Sequence, residues 1–441
     1  MENEVEINGE TSFKFPPNIT KEILSDGRYL VISELTANWL VLTKNELQAF
    51  NLLCKGKKVK EILGADIEEN ILSSTLAKIM ARKFANTSEI PIPTIYTNVG
   101  KGLQIYLTHG CNIRCKHCYM YAGNKQKNEL YVEKWKEILS AFKKCHGENV
   151  TFSGGEPLMY KGFIELVRFA YSLGLKVCVL SNGLLWTEDL IKSISPYIYE
   201  AQISVDGVDK ESYKKIRGND DFAKVIDTVI KLTDAGIKVT VATTFTFDNL
   251  DDTTESKYKI LVENLQTKCH GNVEFALAKK LAPGRNVHYS NAENEYYYKR
   301  VSKINEVVHK NASVCNFMEG HEPNVLLKNC GIGGLSIDSN GEVFCCSRTS
   351  EINSNGNILS NTLDYYLQKG IEINNNTDVD NIEPCNKCKL RYICGGGCKI
   401  ELFNMDKFFK IRSPTCKEHF DVCKNKLKEM LVKCFDTYYK F

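Results

Sequence analysis

The chain has 441 residues, 57 Lys+Arg against 54 Asp+Glu, and 18 cysteines. A net charge of +3 with no long single-sign run indicates neither a nucleic-acid stripe nor an acidic tail. The length predicts several domains with enough core to do without disulfide staples, so the cysteine excess needs another explanation.

Met1 to Pro17 is acidic and polar, unlike a secretory signal, and no run of 18 apolar residues suggests a membrane span. The expectation is a cytoplasmic protein without membrane or nucleic-acid partners, where clustered cysteines bind metal or do redox chemistry. Of the basic residues 47 are Lys and 10 are Arg, which singles out each Arg.

In residues 1–98, Arg28–Ser33 and Trp39–Thr43 are short β-rich runs consistent with a hairpin. Helical patterns follow at Lys44–Cys54, Val59–Leu63 and Glu68–Phe84, with Thr43 or Asn45 as a cap for the first. This order predicts a winged-helix-like α+β domain, and Pro91–Tyr96 reads as a linker.

Residues 99–285 alternate strands and helices. Strands are predicted at Leu103–Leu107, Val150–Phe152, Lys176–Leu180, Ala201–Val205, Lys238–Phe245 and Val273–Leu277, with amphipathic stretches such as Val132–Cys145, Phe163–Leu173 and Phe222–Ala235 between them. Six βα repeats predict an α/β fold with parallel strands, either a partial (β/α)6 TIM barrel open on one side or a doubly wound sheet. Residues 286–329 form a polar, Tyr-rich bridging region with one helical segment. Residues 330–441 are rich in Cys and poor in apolar runs, so bound metal is expected to hold them.

The first cysteine constellation is Cys111-x3-Cys115-x2-Cys118, directly after the first strand of the alternating region. Strand C-terminal ends carry the chemistry in barrels. Three thiolates fall short of the four ligands of a structural zinc or a fully protein-bound [4Fe–4S] cluster, leaving one iron open. A zinc site completed by His117 or a distant residue is the alternative. Gly154-Gly-Glu156-Pro157 follows the second strand, Ser181-Asn182-Gly183 the third, and Ser204-Val-Asp206-Gly207 the fourth. Glycines admit close backbone approach, though Asn-Gly and Asp-Gly are also ordinary turn dipeptides.

These motifs resemble the radical S-adenosylmethionine (SAM) enzymes. The resemblance implies a [4Fe–4S] cluster on Cys111, Cys115 and Cys118. Its open iron would chelate the methionine end of S-adenosylmethionine, and reductive cleavage would yield a 5′-deoxyadenosyl radical. Cofactor contacts are implied at Gly154, Gly155, Glu156, Pro157, Ser181, Asn182, Ser204 and Asp206. Arg217 is assigned to the cofactor carboxylate, and either Arg217 or Arg285 could instead form a structural ion pair.

The second constellation is Cys330-x10-Gly341-x4-Cys346, then Cys385-x2-Cys388-x5-Cys394-x3-Cys398, and Cys416. Zinc ribbons would suit Cys385-x2-Cys388 alone. The whole pattern resembles the SPASM extension of radical SAM peptide-modifying enzymes. That resemblance implies two auxiliary [4Fe–4S] clusters, three clusters in all: one on Cys330, Cys346 and Cys398, with Cys315 as candidate fourth ligand, and one on Cys385, Cys388, Cys394 and Cys416. The other seven cysteines, Cys345 among them, read as small buried hydrophobes.

The N-terminal module resembles a PqqD-like recognition element, which implies a leader peptide added as a strand at a sheet edge. The expected partners are a precursor peptide with a leader and a one-electron reductant such as flavodoxin or ferredoxin. The expected reaction is an oxidoreductase step on that ribosomally made peptide, installing an intramolecular cross-link. A Cys thioether of the sactipeptide or ranthipeptide type leads. The alternatives are a carbon–carbon or ether link, an anaerobic sulfatase-type formylglycine maturase, or a non-catalytic iron–sulfur or zinc regulator. The substrate acid/base residue is not assigned.

Overall fold

The computed structural model describes residues 7–64, 67–96, 99–308, 317–318, 320–406, 409–414 and 417–439. The chain divides into two compact units, one from residues 1–97, 311–330 and 375–441, the other from residues 98–310 and 331–374.

The first unit opens with a three-stranded antiparallel sheet, β1 (Ile19–Ile23), β2 (Tyr29–Ser33) and β3 (Asn38–Leu42), in the order β1-β2-β3. Helices α1 (Lys44–Cys54), α2 (Val59–Leu63) and α3 (Glu69–Ala81) follow. The hairpin β2–β3 and the helices lie where apolar periodicity places them. β1 was not expected, because Ile-Thr-Lys-Glu-Ile alternates too weakly to signal a strand. Thr43 starts α1 through a capping box: its hydroxyl accepts from the Glu46 N–H, and the Glu46 carboxylate accepts from the Thr43 N–H. The stretch read as a linker contains a short strand, Thr94–Tyr96, paired in parallel with Val325–Leu327. Its Thr-Ile-Tyr sequence is β-favouring, and the two prolines end before it.

The core of this unit joins distant segments. Trp39, Leu40, Phe50 and Phe84 are buried with Leu431, Cys434 and Phe435 from the last helix, Lys417–Tyr438. Trp39 donates its indole N–H to the Leu431 carbonyl at 3.2 Å, and the Arg82 guanidinium stacks 3.8 Å from the Trp39 ring centre.

After β4, the strand Thr94–Tyr96 of the first unit, come the strands of the second: β5 (Gly102–Tyr106), β6 (Asn149–Ser153), β7 (Lys176–Ser181), β8 (Glu200–Ser204), β9 (Lys238–Thr243) and β10 (Val273–Leu277), paired in parallel in sequential order. Crossover helices include α4 (Val132–Lys144), α5 (Phe163–Ser172), α6 (Glu188–Ile194), α7 (Lys210–Arg217), α8 (Phe222–Asp234) and α9 (Thr254–Lys268). The order never reverses, which excludes the doubly wound alternative. Leu335–Ile337 adds in parallel beside β5, and Val343–Phe344 adds antiparallel beyond it, making eight strands. Along β8, Ala201 and Ile203 are buried while Gln202 and Ser204 occupy the opposite face, the period of two that separates core from cleft. α10 (Asn291–Val308) is the helical segment expected in the bridging region. Among the described residues no helix is long and apolar enough to cross a membrane.

The last helix belongs to the N-terminal core, so Leu431→Ala is expected to destabilise the first unit by about 2–5 kcal/mol. Denaturant unfolding followed by Trp fluorescence checks this, since Trp39 is fully buried against that helix.

Candidate functional site

The loops after β5 to β8 converge. Main-chain bonds hold the cysteine loop: the Cys111 N–H donates to the Gly123 carbonyl (2.9 Å), the Lys116 N–H to Ile216 (2.9 Å), and the Arg285 N–H to Cys118 (3.1 Å). The Arg285 guanidinium donates to the Cys115 carbonyl at 3.0 Å and to the Ala122 carbonyl. Among the described residues Arg285 is therefore a clamp on the loop rather than part of an ion pair. At the loop's root, one Glu129 carboxylate oxygen accepts from the Thr108 hydroxyl, the His109 N–H and the Gln126 N–H, at 2.9, 2.9 and 3.0 Å.

Gly154 and Gly155 press against this loop. Gly154 has φ +134°, and a Cβ there would fall 2.5 Å from the Thr108 carbonyl oxygen; at Gly155 it would fall 2.4 Å from that of Gly110. Only glycine allows this approach, which lets the Gly155 and Glu156 N–H groups donate to Thr108 and Gly110 at 2.7 and 2.9 Å.

Cys111, Cys115 and Cys118 line one cleft of about 330 Å³, together with Gly154, Gly155, Ser181, Asn182, Ser204, Asp206 and Arg217. Glu156 and Pro157 do not line it. The fully buried Glu156 carboxylate instead faces β7: it accepts from the Ser181 hydroxyl (2.9 Å) and the Asn182 N–H (2.8 Å). Burial pushes its carboxyl up to about 7, against the pull of those donors. The Asn182 amide nitrogen in turn lies 3.9 Å from Cys111 Sγ.

Asp206 and Arg217 form a buried pair, Oδ2 to Nη2 2.6 Å, with His117 Nε2 3.2 Å from the same oxygen. Burial opposes ionisation of Asp206, but Arg217, His117 and the Thr244 N–H outweigh it and hold the carboxyl at about 2. Nη1 of Arg217 lies 3.4 Å from Cys115 Sγ. Burial pushes the Cys115 thiol up, and Arg217 is the group drawing it down.

Sequence reasoning did not assign Tyr119, Gln202, Thr244 and Lys280 to the cleft, which they also line, and named His117, another lining residue, only as the alternative zinc ligand. A signal existed for Gln202: a polar residue in an apolar strand, two positions before Ser204 and so on its face.

Among the described residues no three His, Cys, Asp or Glu side chains converge as a single metal ion would require. The donor set suits a larger anionic group. Three thiols share the cleft, a guanidinium adjoins one of them, and the buried Nε of Arg217 and Nδ1 of His117 lack hydrogen-bond partners among the described residues.

Of the second constellation, Cys330, Cys385, Cys388, Cys394 and Cys398 belong to the first unit and Cys346 to the second, while Cys315 and Cys416 lie outside the described residues. Cys345 is fully buried, as expected, and burial pushes its thiol up to about 12. Cys269 and Cys434 are also buried, whereas Cys54, Cys145, Cys178 and Cys423 are only half-buried.

Residues 105–257 match the family model of the radical SAM superfamily, so the chain carries a radical SAM domain. It is 35% identical over 184 residues to the sporulation killing factor maturation protein SkfB of Bacillus subtilis, spanning 41% of this chain and 43% of that protein. The antilisterial bacteriocin subtilosin biosynthesis protein AlbA of the same organism is 24% identical over 342 residues, 74% of this chain and 71% of AlbA. SuiB of Streptococcus suis, solved bound to S-adenosylmethionine, superposes with TM-score 0.51 at 16% identity, covering 92% of this chain and 100% of that one, a likeness of fold. The chain thus spans less than half of SkfB's length.

Glu156 binds a proton more tightly in the fold than at its ordinary value of 4.5, so its contribution to stability is complete below pH 4.5 and declines as pH rises to about 7. The loss is on the order of 3 kcal/mol. Glu156→Gln is expected to flatten this slope, read from denaturation midpoints between pH 4.5 and 7.

Proposed function

We propose that this radical SAM protein modifies a ribosomally made precursor peptide, abstracting a hydrogen atom from it and installing an intramolecular cross-link, a Cys thioether. The observation that carries the reading is the cleft itself: three thiols on a loop fixed by main-chain bonds, faced by the Gly154–Gly155 backbone and by the Arg217–Asp206 pair. Cys111, Cys115 and Cys118 would hold a [4Fe–4S] cluster with one iron open. When bound, that cluster and S-adenosylmethionine supply a 5′-deoxyadenosyl radical.

The protein's own tasks are orientation and exclusion of water. Gly154 and Gly155 offer main chain to the cofactor's amino group, and Ser181, Asn182 and Ser204 offer polar side chains along the cleft. Arg217, with Nε unpaired among the described residues, would contribute positive charge at Cys115 and at the carboxylate end of the cofactor. Glu156 acts from behind, by holding Ser181 and Asn182.

Peptide as the substrate class is supported by the words maturation and bacteriocin biosynthesis in the names of SkfB and AlbA, and by the N-terminal sheet. Among the described residues β1 pairs only with β2, leaving its outer edge open to an added strand. On β3 two of the outward groups are already met: the Trp39 N–H by Asn38 Oδ1 at 3.0 Å, and the Val41 carbonyl by Lys78 Nζ at 3.3 Å. A leader peptide would therefore add at β1. The auxiliary clusters belong to the same proposal, one on Cys330, Cys346, Cys398 and Cys315, the other on Cys385, Cys388, Cys394 and Cys416, fed by a flavodoxin- or ferredoxin-type reductant.

Reduced protein given S-adenosylmethionine and the precursor encoded beside its gene is expected to release 5′-deoxyadenosine and to convert the peptide to a product two mass units lighter. Cys115→Ala is expected to lose both activities. Continued 5′-deoxyadenosine release by that variant would refute the cluster assignment. A product in which every Cys thiol still alkylates would replace the thioether with a carbon–carbon or ether link.

A further inference from the structure

The cysteine loop has a face outside the cleft. Residues 90–128, which include the loop, contain no Asp or Glu, where the chain's average of 54 in 441 would place about five. The same stretch carries Lys101, Arg114, Lys116, Lys125 and Lys127. Arg114, Lys125 and Lys127 are exposed, and none of them lines the cleft. The Arg114 guanidinium packs flat on Gly123, where a Cβ would fall 2.4 Å from Cζ. Its Nη1 donates to the Cys111 carbonyl at 2.9 Å and its Nη2 to Asn124 Oδ1 at 3.0 Å. The cation is thereby fixed on the main chain of a thiol-bearing residue and beside Lys125.

The last turn of α7 extends this face. The Lys116 N–H donates to the Ile216 carbonyl at 2.9 Å, and the Arg114 carbonyl oxygen lies 3.7 Å from where a Cβ would stand on Gly218. Lys214 and Lys215 on that turn are exposed. The acids nearby are engaged elsewhere: Asp220 pairs with Lys210 at 3.1 Å, Asp209 with Lys257 at 3.0 Å and Asp248 with Lys116 at 2.9 Å. Among the described residues Arg114, Lys127, Lys214 and Lys215 form no ion pair, nor does Glu211, the one carboxylate of α7, and Lys125 reaches Glu129 only at 3.7 Å. In a chain whose net charge is only +3, this is a local excess of cations. All these residues belong to the second unit.

We propose that this face, built from Arg114, Lys125, Lys127, Lys214 and Lys215, is the docking surface of an acidic one-electron carrier protein, which delivers its electron through the cysteine loop from outside the cleft. This rests on the assignment of a cluster to Cys111, Cys115 and Cys118 in the preceding section. One electron leaves the reduced carrier, which is oxidised by one, and the centre on those thiols is reduced by one, with no proton transferred. Exposed cations suit a partner that must arrive fast and leave after transfer, because they raise the rate of encounter more than the final affinity. Since the face lines no part of the cleft, a docked carrier leaves room there for S-adenosylmethionine and peptide. A nucleic-acid backbone would answer to the same charges. The bond from Arg114 to the Cys111 main chain favours the electron carrier, because it joins the face to the group that must be reduced.

The test uses the full chain, reconstituted anaerobically, as wild type, as the triple variant Lys127→Glu, Lys214→Glu, Lys215→Glu, as the same triple to Gln, and as a control, Lys144→Glu, Lys192→Glu, Lys268→Glu. The control lysines are exposed near the C-terminal ends of α4, α6 and α9, each shortly before a strand begins and so at the other end of the sheet from the loop. Purified flavodoxin is the probe, and duplex DNA the competing polyanion. Two quantities are read: release of 5′-deoxyadenosine from S-adenosylmethionine driven by reduced flavodoxin or by dithionite, and binding of oxidised flavodoxin without turnover at low and high salt. The Glu triple is expected to raise the KM for flavodoxin about tenfold or more and to lose the salt-sensitive binding, with the Gln triple between it and wild type. Dithionite-driven release is expected to stay at the wild-type rate in both, and the control to match wild type throughout. Unchanged KM and binding in the Glu triple overturn the proposal, and so does an equal loss in the control. Loss of dithionite-driven release from both the Glu and the Gln triples overturns it by making these lysines part of the loop's own structure; loss from the Glu triple alone leaves the Gln triple to decide. Duplex DNA that binds wild type more tightly than flavodoxin does, and not the Glu triple, overturns it in favour of nucleic acid. A wild type that releases no 5′-deoxyadenosine with dithionite overturns the cluster reading and this inference with it.

Discussion

Asp206, Arg217 and Cys115 meet at the wall of the cleft, each mostly buried, the carboxylate 2.6 Å from one guanidinium nitrogen and the sulfur 3.4 Å from the other. Taking a carboxylate and a guanidinium out of water costs several kcal/mol per ion, and a single contact between them does not offset that. The surrounding bonds make the pair tenable. The Thr244 N–H donates to Asp206 at 2.7 Å, and His117 approaches its other oxygen. Three segments far apart in sequence are thereby held to one another: the end of β8, the last turn of α7 and the cysteine loop. The bond from the Lys116 N–H to the Ile216 carbonyl ties the same loop to the same helix through main chain alone.

The alternating strands and helices of the second unit were legible because each strand has an apolar face with a period of two and each crossover helix an apolar stripe. The cleft residues were legible as motifs because the fold puts strand C-terminal ends together, so Cys111–Cys118, Gly154–Gly155, Ser181–Asn182 and Ser204–Asp206 converge. Elements that depend on distant partners were not legible. β1 carries little apolar signal, and Leu335–Ile337 is three residues long and acquires its strand character from β5, more than 200 residues earlier. The last helix looked like part of a cysteine-rich tail, yet it contributes Leu431, Cys434 and Phe435 to the N-terminal core. No local pattern encodes which core an amphipathic helix will join.

Glu156 shows the limit of reading a motif as a list of contacts. Beside two glycines at a strand end, a carboxylate looks like a ligand for an ammonium group. The geometry turns it inward, because the same close approach that brings Gly155 onto Gly110 aims the next side chain at β7. There it holds the Asn182 N–H, and the Asn182 side-chain amide reaches toward Cys111 sulfur and accepts no slack, being tied to the Asn112 oxygen at 2.8 Å. The motif's carboxylate thus acts on the first thiol through one intermediate residue. Removing it would disturb the cleft without removing any group that lines it, so loss of function in such a variant would not by itself show that Glu156 touches a ligand.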